Sequence, residues 1–301
     1  MIMRVLITAF GGGHTGIALA CLKKIGGDVC FVVLNNDDLT KMKLTSLGLR
    51  YSQIMEPRGL GESIASLSVI TKFFLNALQA IKILIKEKPE IVISTGPNPS
   101  IPISFIAKIF GKKLINVEVV DRILSPSITA RILSWVADET WVHWSVQMSW
   151  FRNSRLVGPL LYEQNSGLEI VLEKPVIAVF SGRRPYYELL EAVRYMDGKI
   201  TCSWIVQTAG AKLEVKNKAI ISDYFVGISD LIEKSDCVIA TGGLTAFEVL
   251  AKRRNLILFP RKNTSADHQL KQAIYLSRIG KCWYAENKAD LELLLKKILV
   301  V

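Results

Sequence analysis

Short apolar runs alternate with longer amphipathic stretches through both halves of the chain. This alternation is typical of a parallel β-sheet whose strands are joined by crossover helices. The predicted strands are residues 5–7, 29–34, 90–93, 113–117 and 140–142 in the first half, and residues 175–180, 203–206, 236–239 and 256–259 in the second. The pattern therefore predicts an α/β protein with two Rossmann-like units in tandem.

The chain is long enough for two such units. Its 301 residues are more than one core usually needs, and two domains of about 150 residues each are expected. Half of the residues are hydrophobic, so each unit can bury a core. The polar segment 163–167 has the composition of a linker. We therefore predict domains at residues 1–162 and 163–301.

A glycine-rich turn, Gly11-Gly12-Gly13-His14-Thr15-Gly16, follows the first predicted strand and opens a predicted helix. Glycines let the backbone approach a ligand closely, and the N–H groups at a helix start favour negative charge. The turn therefore predicts a phosphate-bearing ligand, and His14 adds a titratable imidazole at that place. The same glycines match the dinucleotide fingerprint, with Asp37 and Asp38 after the next strand, which leaves a nicotinamide-dependent dehydrogenase as an alternative.

Further polar stretches follow other predicted strands, at the ends where open α/β sheets bind ligands. They are the loop 94–100, Glu118 with Arg122 after it, the second glycine turn at residues 240–248, and the segments 260–262 and 267–273. Each has a structural alternative, such as an ion pair of Glu118 with Arg122 or a solvated Glu248. Taken together with His14, they predict a cleft that holds a nucleotide on one wall and an acceptor on the other.

Residues 64–88 form a long apolar segment that Lys72, Asn76, Gln79 and Lys82 interrupt. These polar residues make it a poor membrane span and a fair amphipathic helix. The apolar positions at spacings of three and four are Leu67, Ile70, Phe74, Leu78 and Ile81. One face of the helix is expected to pack on the sheet. Phe73 and Phe74, flanked by Lys72 and Lys82, are expected to contact an anionic membrane surface.

The chain is basic, with 38 Lys and Arg against 27 Asp and Glu and a formal net charge of +11. This charge favours acidic partners, namely nucleic acid, anionic lipid or phosphorylated substrates. Nucleic acid is not expected, because no zinc-finger spacing or base-reading basic helix occurs. The five scattered cysteines predict reduced core thiols. No signal peptide precedes the first strand, so a peripheral location on the cytoplasmic face of the cell membrane is expected.

Several of these motifs together resemble a known enzyme family. The stretches Gly11 to His14, Ile93 to Pro97, Glu118, Ser125 to Ser127 and Val157 to Leu161 resemble the membrane-anchored subunit of the eukaryotic transferase that adds the second N-acetylglucosamine (GlcNAc) to dolichyl-diphosphate GlcNAc. Residues 236–248 and 267–269 resemble its catalytic partner subunit. Both halves are also similar to MurG, the bacterial lipid-linked GlcNAc transferase of glycosyltransferase family 28. The resemblance implies a GT-B fold, with an acceptor and membrane-facing domain first and a UDP-sugar domain second.

The resemblance also implies the activity: inverting, metal-independent transfer of GlcNAc from UDP-GlcNAc to a polyprenyl- or dolichyl-diphosphate-linked sugar, without a cofactor. The acceptor sugar would be GlcNAc, which gives a lipid-linked chitobiose for N-glycan or cell-envelope assembly. By the resemblance, His14 or Glu118 would remove the proton of the acceptor hydroxyl. Because an imidazole can accept a proton at neutral pH, we expect His14 to be the base and Glu118 to orient it or the acceptor, although a carboxylate base is chemically just as reasonable. Donor-binding residues would be Ser181, Gly182, Arg183, Gly242, Gly243, Thr245, Glu248, Asp267, His268 and Gln269. Acceptor- or diphosphate-binding residues would be Gly11, Gly12, Gly13, Thr15, Gly96, Pro97 and Arg122.

The sequence departs from the family in two ways. Ser181-Gly182-Arg183-Arg184 replaces a small, glycine-containing loop of MurG, so that a guanidinium would face the phosphates in place of backbone N–H groups. We also expect no membrane anchor of the eukaryotic kind, which leaves the mode of attachment open. No Asp-x-Asp occurs in the chain, so helix dipoles and basic side chains would take up the charge of the leaving diphosphate. A different UDP-sugar donor, such as UDP-glucuronate, and a non-catalytic lipid-binding module stay as alternatives.

Overall fold

A computed structural model describes residues 2–57, 67–262 and 267–299 of the chain. The chain packs as two compact units, Met1–Tyr162 and Glu163–Val301, and their boundary coincides with the start of the polar segment 163–167. Each unit contains one parallel sheet with helices in the crossover connections, which confirms the predicted α/β class.

The first unit is built on seven strands. They are β1 (Arg4–Thr8), β2 (Asp28–Leu34), β3 (Tyr51–Ile54), β4 (Ile91–Ser94), β5 (Lys113–Val117), β6 (Glu139–Val142) and β7 (Ser154–Leu156). Its helices are α1 (Gly12–Ile25), α2 (Asp38–Ser46), α3 (Leu67–Glu87), α4 (Ser100–Ile109) and α5 (Ile128–Leu133), with a 3-10 helix at Ser145–Trp150. The sheet order is β3-β2-β1-β4-β5-β6-β7. Because the order reverses between β1 and β4, the carboxyl ends of these two strands form the point where such sheets bind ligands.

The second unit is built on six strands. They are β8 (Val176–Phe180), β9 (Ser203–Gln207), β10 (Ala219–Ser222), β11 (Cys237–Ala240), β12 (Asn255–Leu258) and β13 (Trp283–Tyr284). Its helices are α6 (Tyr187–Asp197), α7 (Ser229–Lys234), α8 (Leu244–Ala251), α9 (His268–Arg278) and α10 (Lys288–Leu299). The sheet order is β10-β9-β8-β11-β12-β13, so the corresponding switch point lies between β8 and β11.

The central strands are apolar along their whole length because both faces of each sheet are covered. In the first unit Val5 and Ile7 pack in one cluster with residues of α1, such as Ile17. Leu6, between them in sequence, packs in a second cluster with Ile103 of α4. This two-sided burial explains why the strands read as continuous apolar runs rather than as alternating ones.

The outer face of α3 differs from the expectation. The inner face is formed by Val69, Asn76, Ala80, Ile83 and Leu84, and the apolar stripe found in the sequence lies mainly on the other side. Phe74 and Ile70 of that stripe are 64% and 55% exposed. Phe73, which was expected to contact lipid beside Phe74, is half-buried, and so is Lys72, whereas Lys82 is exposed.

By length and composition α3 could cross a bilayer, and it is the one such helix among residues 2–57, 67–262 and 267–299. Polar contacts nevertheless tie its inner face to the first unit. Asn76 Nδ2 donates to the carbonyl of Met55, and the Met55 N–H donates to Gln79 Oε1. These bonds fit an amphipathic helix packed on its own domain. The start of the predicted segment, residues 64–66, lies outside the described residues.

Candidate active site

His14 lies in the first turn of α1, directly after the carboxyl end of β1. Gly11 is the N-cap residue of this helix, with φ of 79°. The imidazole reaches the loop that follows the neighbouring strand β4, where its Nδ1 lies 2.6 Å from the carbonyl oxygen of Thr95. A carbonyl oxygen can only accept a hydrogen bond, so Nδ1 carries the proton in this contact. Nε2 is then the nitrogen with the lone pair, which is the tautomer that a general base needs.

The loop after β4 holds the imidazole from a second side. A Cβ atom added to Gly96 would lie 3.3 Å from Cε1 and 3.5 Å from Nδ1 of His14, so the glycine permits close packing against the ring. The backbone φ of Gly96 is +68°, a value that L side chains rarely adopt. Two bonds between Thr95 and Thr8 join the ends of β4 and β1: Thr95 N–H donates to Thr8 Oγ1, and Thr95 Oγ1 donates to the Thr8 carbonyl. The sequence motifs at residues 11–16 and 94–100 therefore form one site.

Glu118 is fully buried at the end of β5. Its two carboxylate oxygens accept main-chain N–H groups, Oε1 from Val119 and Oε2 from Ser127, both at 2.8 Å. Burial raises the pKa of this carboxyl from 4.5 to about 7, although the two N–H groups and the charge of Arg122 act in the opposite direction. Glu118 thus closes the loop between β5 and α5. The hydrogen-bond partners of the Glu118 carboxylate are thus main-chain N–H groups, and Arg122 acts on it through its charge.

Two residues beneath this loop carried no signal in the sequence. The His143 ring is buried between two carbonyls, with Nε2 2.7 Å from Glu118 O and Nδ1 2.9 Å from Gly158 O. Gln147 Nε2 donates to the carbonyl of Arg122 at 2.7 Å, and its Oε1 accepts the His143 N–H. These side chains bond to backbone atoms, which any sequence supplies, so no motif could mark them.

Thr15 and Asp37 occupy different positions from those expected. Thr15 is 3% exposed and its hydroxyl shares a hydrogen bond of 2.9 Å with Thr40 Oγ1, so it packs α1 against α2 and does not present its hydroxyl to an acceptor. Asp37 is also buried, and its carboxylate caps α2 by accepting the Thr40 N–H. A dehydrogenase would need a carboxylate after β2 that can reach a ribose. Asp37 therefore does not fill that role, whereas Asp38 is exposed at the same place and pairs with Lys41.

The second glycine turn lies at the carboxyl end of β11 and opens α8. Gly243 is the N-cap residue with φ of 72°, and the φ of Gly242 is 114°. The Gly243 N–H donates to Gln272 Oε1 of α9 at 2.8 Å, and a Cβ on Gly242 would lie 2.8 Å from the same oxygen. Gly243 therefore uses its N–H within the protein, and the N–H groups that can face an anion are those of the first turn of α8, which includes Thr245.

A second loop lies beside this turn, because a Cβ on Gly182 would be 3.9 Å from Thr241 Oγ1. Ser181 is buried and its hydroxyl donates to the Gln207 carbonyl at 2.7 Å. Gln207 Nε2 donates to the Gly182 carbonyl at 2.9 Å. The hydroxyl of Ser181 thus anchors the loop to β9, while Arg183 is exposed.

The remaining predicted donor residues lie on α8 and α9. Gln269 packs against Gly242, with its Cβ and Cγ 3.6 Å from the position of an added Cβ, and its Oε1 accepts the Arg261 N–H. Glu248 is half-buried on α8. His268 is half-buried at the start of α9, and Asp267 before it is exposed in the left-handed conformation, φ 50°. The structure therefore gathers Gly182, Gly242, Gly243 and Gln269 at one edge of the second sheet.

Two family models match the chain. The model described as oligosaccharide biosynthesis protein Alg14 like matches residues 5–160, which is half of the chain, and the glycosyltransferase family 28 C-terminal domain matches residues 194–301. Each match falls within one of the two units.

Curated relatives match along nearly the whole length. The UDP-N-acetylglucosamine--N-acetylmuramyl-(pentapeptide) pyrophosphoryl-undecaprenol N-acetylglucosamine transferase of Chlorobaculum parvum is 25% identical, over 96% of this chain and 87% of the relative. The enzyme of the same name from Ruminiclostridium cellulolyticum is 26% identical, over 98% and 90%.

Solved structures share the fold. MurG of Acinetobacter baumannii superposes with a TM-score of 0.67 at 16% identity, over 99% of this chain and 91% of that one. The spinosyn forosaminyltransferase SpnP gives a TM-score of 0.72 at 13% identity, over 100% and 91%. The chain therefore belongs to the Alg14-like family through its first unit and is a MurG-like protein of glycosyltransferase family 28 with the GT-B fold.

Proposed function

We propose that the protein transfers GlcNAc from UDP-GlcNAc to a sugar linked to a polyprenyl or dolichyl diphosphate, with inversion at the anomeric carbon. The observation that supports this activity most is the extent of the likeness to the GlcNAc transferase of Chlorobaculum parvum, which covers 96% of this chain. GlcNAc is the expected acceptor sugar, and the product would then be a lipid-linked chitobiose.

The geometry at His14 supports its role as the base. The acceptor hydroxyl oxygen attacks the anomeric carbon, the bond from that carbon to the UDP oxygen breaks, and the hydroxyl proton passes to Nε2 of His14. A single displacement of this kind inverts the configuration. The carbonyl of Thr95 accepts from Nδ1–H and would stabilise the imidazolium that forms. Glu118 acts through the loop that it closes rather than by touching the acceptor, because both of its oxygens bond to main-chain N–H groups.

Charge on the leaving diphosphate would be taken up by the start of α8 and by Arg183. The first-turn N–H groups of a helix and its dipole favour an anion, and Gly243 places no side chain at the N-cap. Glu248 would hold the ribose hydroxyls, and Gln269 and His268 would face the sugar. This arrangement requires no divalent metal. Turnover should survive EDTA, and loss of activity that a divalent ion restores would contradict a metal-independent reaction.

The direct test is an assay with radiolabelled UDP-sugars on membranes that contain the native lipid-linked acceptors. Label from UDP-GlcNAc should enter the lipid fraction, and unlabelled UDP-GlcNAc should compete better than UDP-glucuronate or UDP-glucose. Preferred incorporation of glucuronate would identify UDP-glucuronate as the donor and would leave the fold assignment unchanged. Binding of the protein to NAD but not to UDP would overturn the proposal.

We further propose that the first unit rests on an anionic membrane surface, where its lipid-linked acceptor is found. Helix α3 packs against α4, and α4 packs against α5. Each of these helices exposes large apolar side chains: Phe74 on α3, Ile109 on α4, and Ile128 on α5 with Trp135 just after it. The net charge of +11 and the exposed Lys82 complement anionic headgroups.

Replacing Ile70 and Phe74 of α3 with serine should reduce sedimentation with phosphatidylglycerol vesicles and leave UDP affinity unchanged. Leu293→Ser on α10 is the matched control, since Leu293 is an exposed apolar residue of the other unit. Equal vesicle binding by the α3 variant and the control would contradict the membrane assignment.

A further inference from the structure

Arg261 lies just after β12, at the edge of the second sheet where the glycine turn is found. Its guanidinium donates to three main-chain carbonyls of the loop after β8, which is residues 181–185. Nη1 donates to the Pro185 carbonyl at 2.8 Å, and Nη2 donates to the carbonyls of Arg184 at 2.8 Å and Ser181 at 3.3 Å. One side chain therefore holds this loop at both of its ends.

Arg261 also joins the loop to two neighbouring segments. Its guanidinium stacks on the ring of Tyr186, 4.7 Å from the centroid, and the Tyr186 hydroxyl donates to the Pro260 carbonyl at 3.0 Å. The main-chain N–H of Arg261 donates to Gln269 Oε1 in the first turn of α9. A planar guanidinium with five fixed donors can make such a set of contacts, whereas a lysine ammonium cannot.

These contacts orient the loop. In a trans peptide the C=O and N–H groups point in opposite directions, so the Gly182 N–H points away from the guanidinium that the Ser181 carbonyl faces. The Gly182 carbonyl likewise accepts from Gln207, so the Arg183 N–H of the same peptide points away from Gln207. Three of the five N–H donors of the Arg261 guanidinium are used on carbonyls of this loop, so the side chain shapes the loop.

Positive charge is concentrated here. Arg183 and Arg184 are exposed on the loop and Arg261 lies half-buried against it. Burial and the neighbouring charge of Arg184 lower the pKa of Arg261. Like charges held together repel each other, and an anion bound at the loop relieves the repulsion.

We propose that Arg261 is a positioning residue that fixes the loop 181–185 for the diphosphate of the donor. The inference rests on the proposed function, because it specifies how that donor site is shaped. It predicts that Arg261 matters for the phosphates of UDP and not for its nucleoside.

The experiment compares UDP with uridine by titration calorimetry for the wild type, R261A and R261K. R254A is the matched control, because Arg254 is an exposed arginine at the amino end of β12 and its loss removes the same charge. Both Arg261 variants should bind UDP about 10- to 100-fold more weakly, a range taken from metal sites, where loss of an outer residue that orients the ligands costs that much affinity. Uridine affinity should stay unchanged in both, and R254A should match the wild type for both ligands.

Each other result has a defined meaning. Wild-type protein that binds no UDP would refute the proposed function itself. Wild-type UDP affinity in R261A would overturn the positioning role. UDP affinity restored in R261K would also overturn it, because a lysine keeps the charge but cannot make the contacts of the guanidinium. An equal loss for UDP and uridine would indicate a general structural role and would also overturn it. If R261A does not fold, R261K alone decides, with its melting temperature as the check on folding.

Discussion

The two units use the same local motif, a strand, a glycine turn and a helix, for two different sites. In the first unit the turn contains His14, whose ring is held by the Thr95 carbonyl and packs on Gly96. In the second unit the turn at Gly242 and Gly243 contains no titratable side chain. The motif can therefore hold either an anion or a catalytic group. Which of the two it holds depends on the side chains in and around the turn.

The supporting groups differ as well. The loop after β5 is held by the buried carboxyl of Glu118, whose pKa lies near 7. In the second unit the corresponding supports are the amides of Gln207 and Gln272 and the guanidinium of Arg261. Amides do not titrate, and an arginine keeps its charge at any physiological pH. The support of the first site can thus take up a proton near neutral pH, whereas these supports of the second site keep one charge state.

The largest effect should come from His14→Ala. Loss of a general base lowers turnover by roughly 100- to 10,000-fold. UDP affinity, which we propose for the second unit, should stay at the wild-type value. Rate measurements at saturating UDP-sugar, combined with calorimetry for UDP, separate the two effects. The acid limb of the pH profile, which reports protonation of the base, should disappear in the variant.

The parallel variant Glu118→Gln tests the assignment of roles. If His14→Ala kept most of its turnover while Glu118→Gln lost it and lost the acid limb, Glu118 would be the base. The roles given to His14 and Glu118 in the first unit would then be reversed, and only the description of donor binding in the second unit would stand.

The next effect concerns stability and belongs to the first unit. The pKa of Glu118 is raised from 4.5 to about 7, so between these values the folded state binds more protons than the unfolded state. Raising the pH across this window therefore destabilises the folded protein, by up to about 3 kcal/mol from this group. Glu118→Gln removes this dependence, although it also costs one N–H acceptor at every pH. Urea unfolding of the variant and the wild type at pH 4.5 and pH 8 gives four free energies of unfolding. The double difference is the effect of the substitution at pH 8 minus its effect at pH 4.5.

A control with the opposite sign is available on β6. Lys113 and Trp141 hold the pKa of Glu139 down to about 2, so this carboxylate stabilises the folded state above pH 4.5 and loses that effect as the pH falls. Glu139→Gln should therefore lose stability relative to the wild type as the pH rises from about 2 to 4.5, and its double difference between pH 4.5 and pH 8 should be small. An equally small double difference between pH 4.5 and pH 8 for Glu118→Gln would show that Glu118 is not buried as described.

The sequence predicts those strands and site residues whose amino-acid types form a recognisable pattern. All nine predicted strands are present, since interior strands covered on both faces are uniformly apolar. The four that were missed, β3, β7, β10 and β13, are the edge strands of the two sheets, which are short and partly exposed. At the candidate site, the sequence marks His14 by its place in the glycine turn. Its contact with Thr95 could not, because it is made to a backbone carbonyl 81 positions away.

A smaller effect tests the second unit. Glu248→Ala should weaken UDP binding by about 1.5 to 3 kcal/mol if the carboxylate accepts hydrogen bonds from the ribose hydroxyls. Calorimetry gives the affinity. Glu292→Ala is the control, because Glu292 lies on α10, where it pairs with Lys199 and Lys296. Affinity for UDP that equals the control's would remove Glu248 from the donor site.

The smallest effect isolates the packing of Gly96 against His14. Gly96 and Gly111 both have φ of +68°, so alanine introduces the same backbone strain at each. They differ in surroundings: a Cβ at position 96 would lie 3.3 Å from Cε1 of His14, whereas nothing lies within 4 Å of a Cβ at position 111. Gly96→Ala should therefore shift the imidazole and lower turnover by about tenfold, since small misplacements of a catalytic group reduce rates steeply. Gly111→Ala should lose the same stability and keep its turnover. Equal turnover in the two variants would show that the ring position set by the loop after β4 does not limit catalysis, and the first unit would then contribute the imidazole alone.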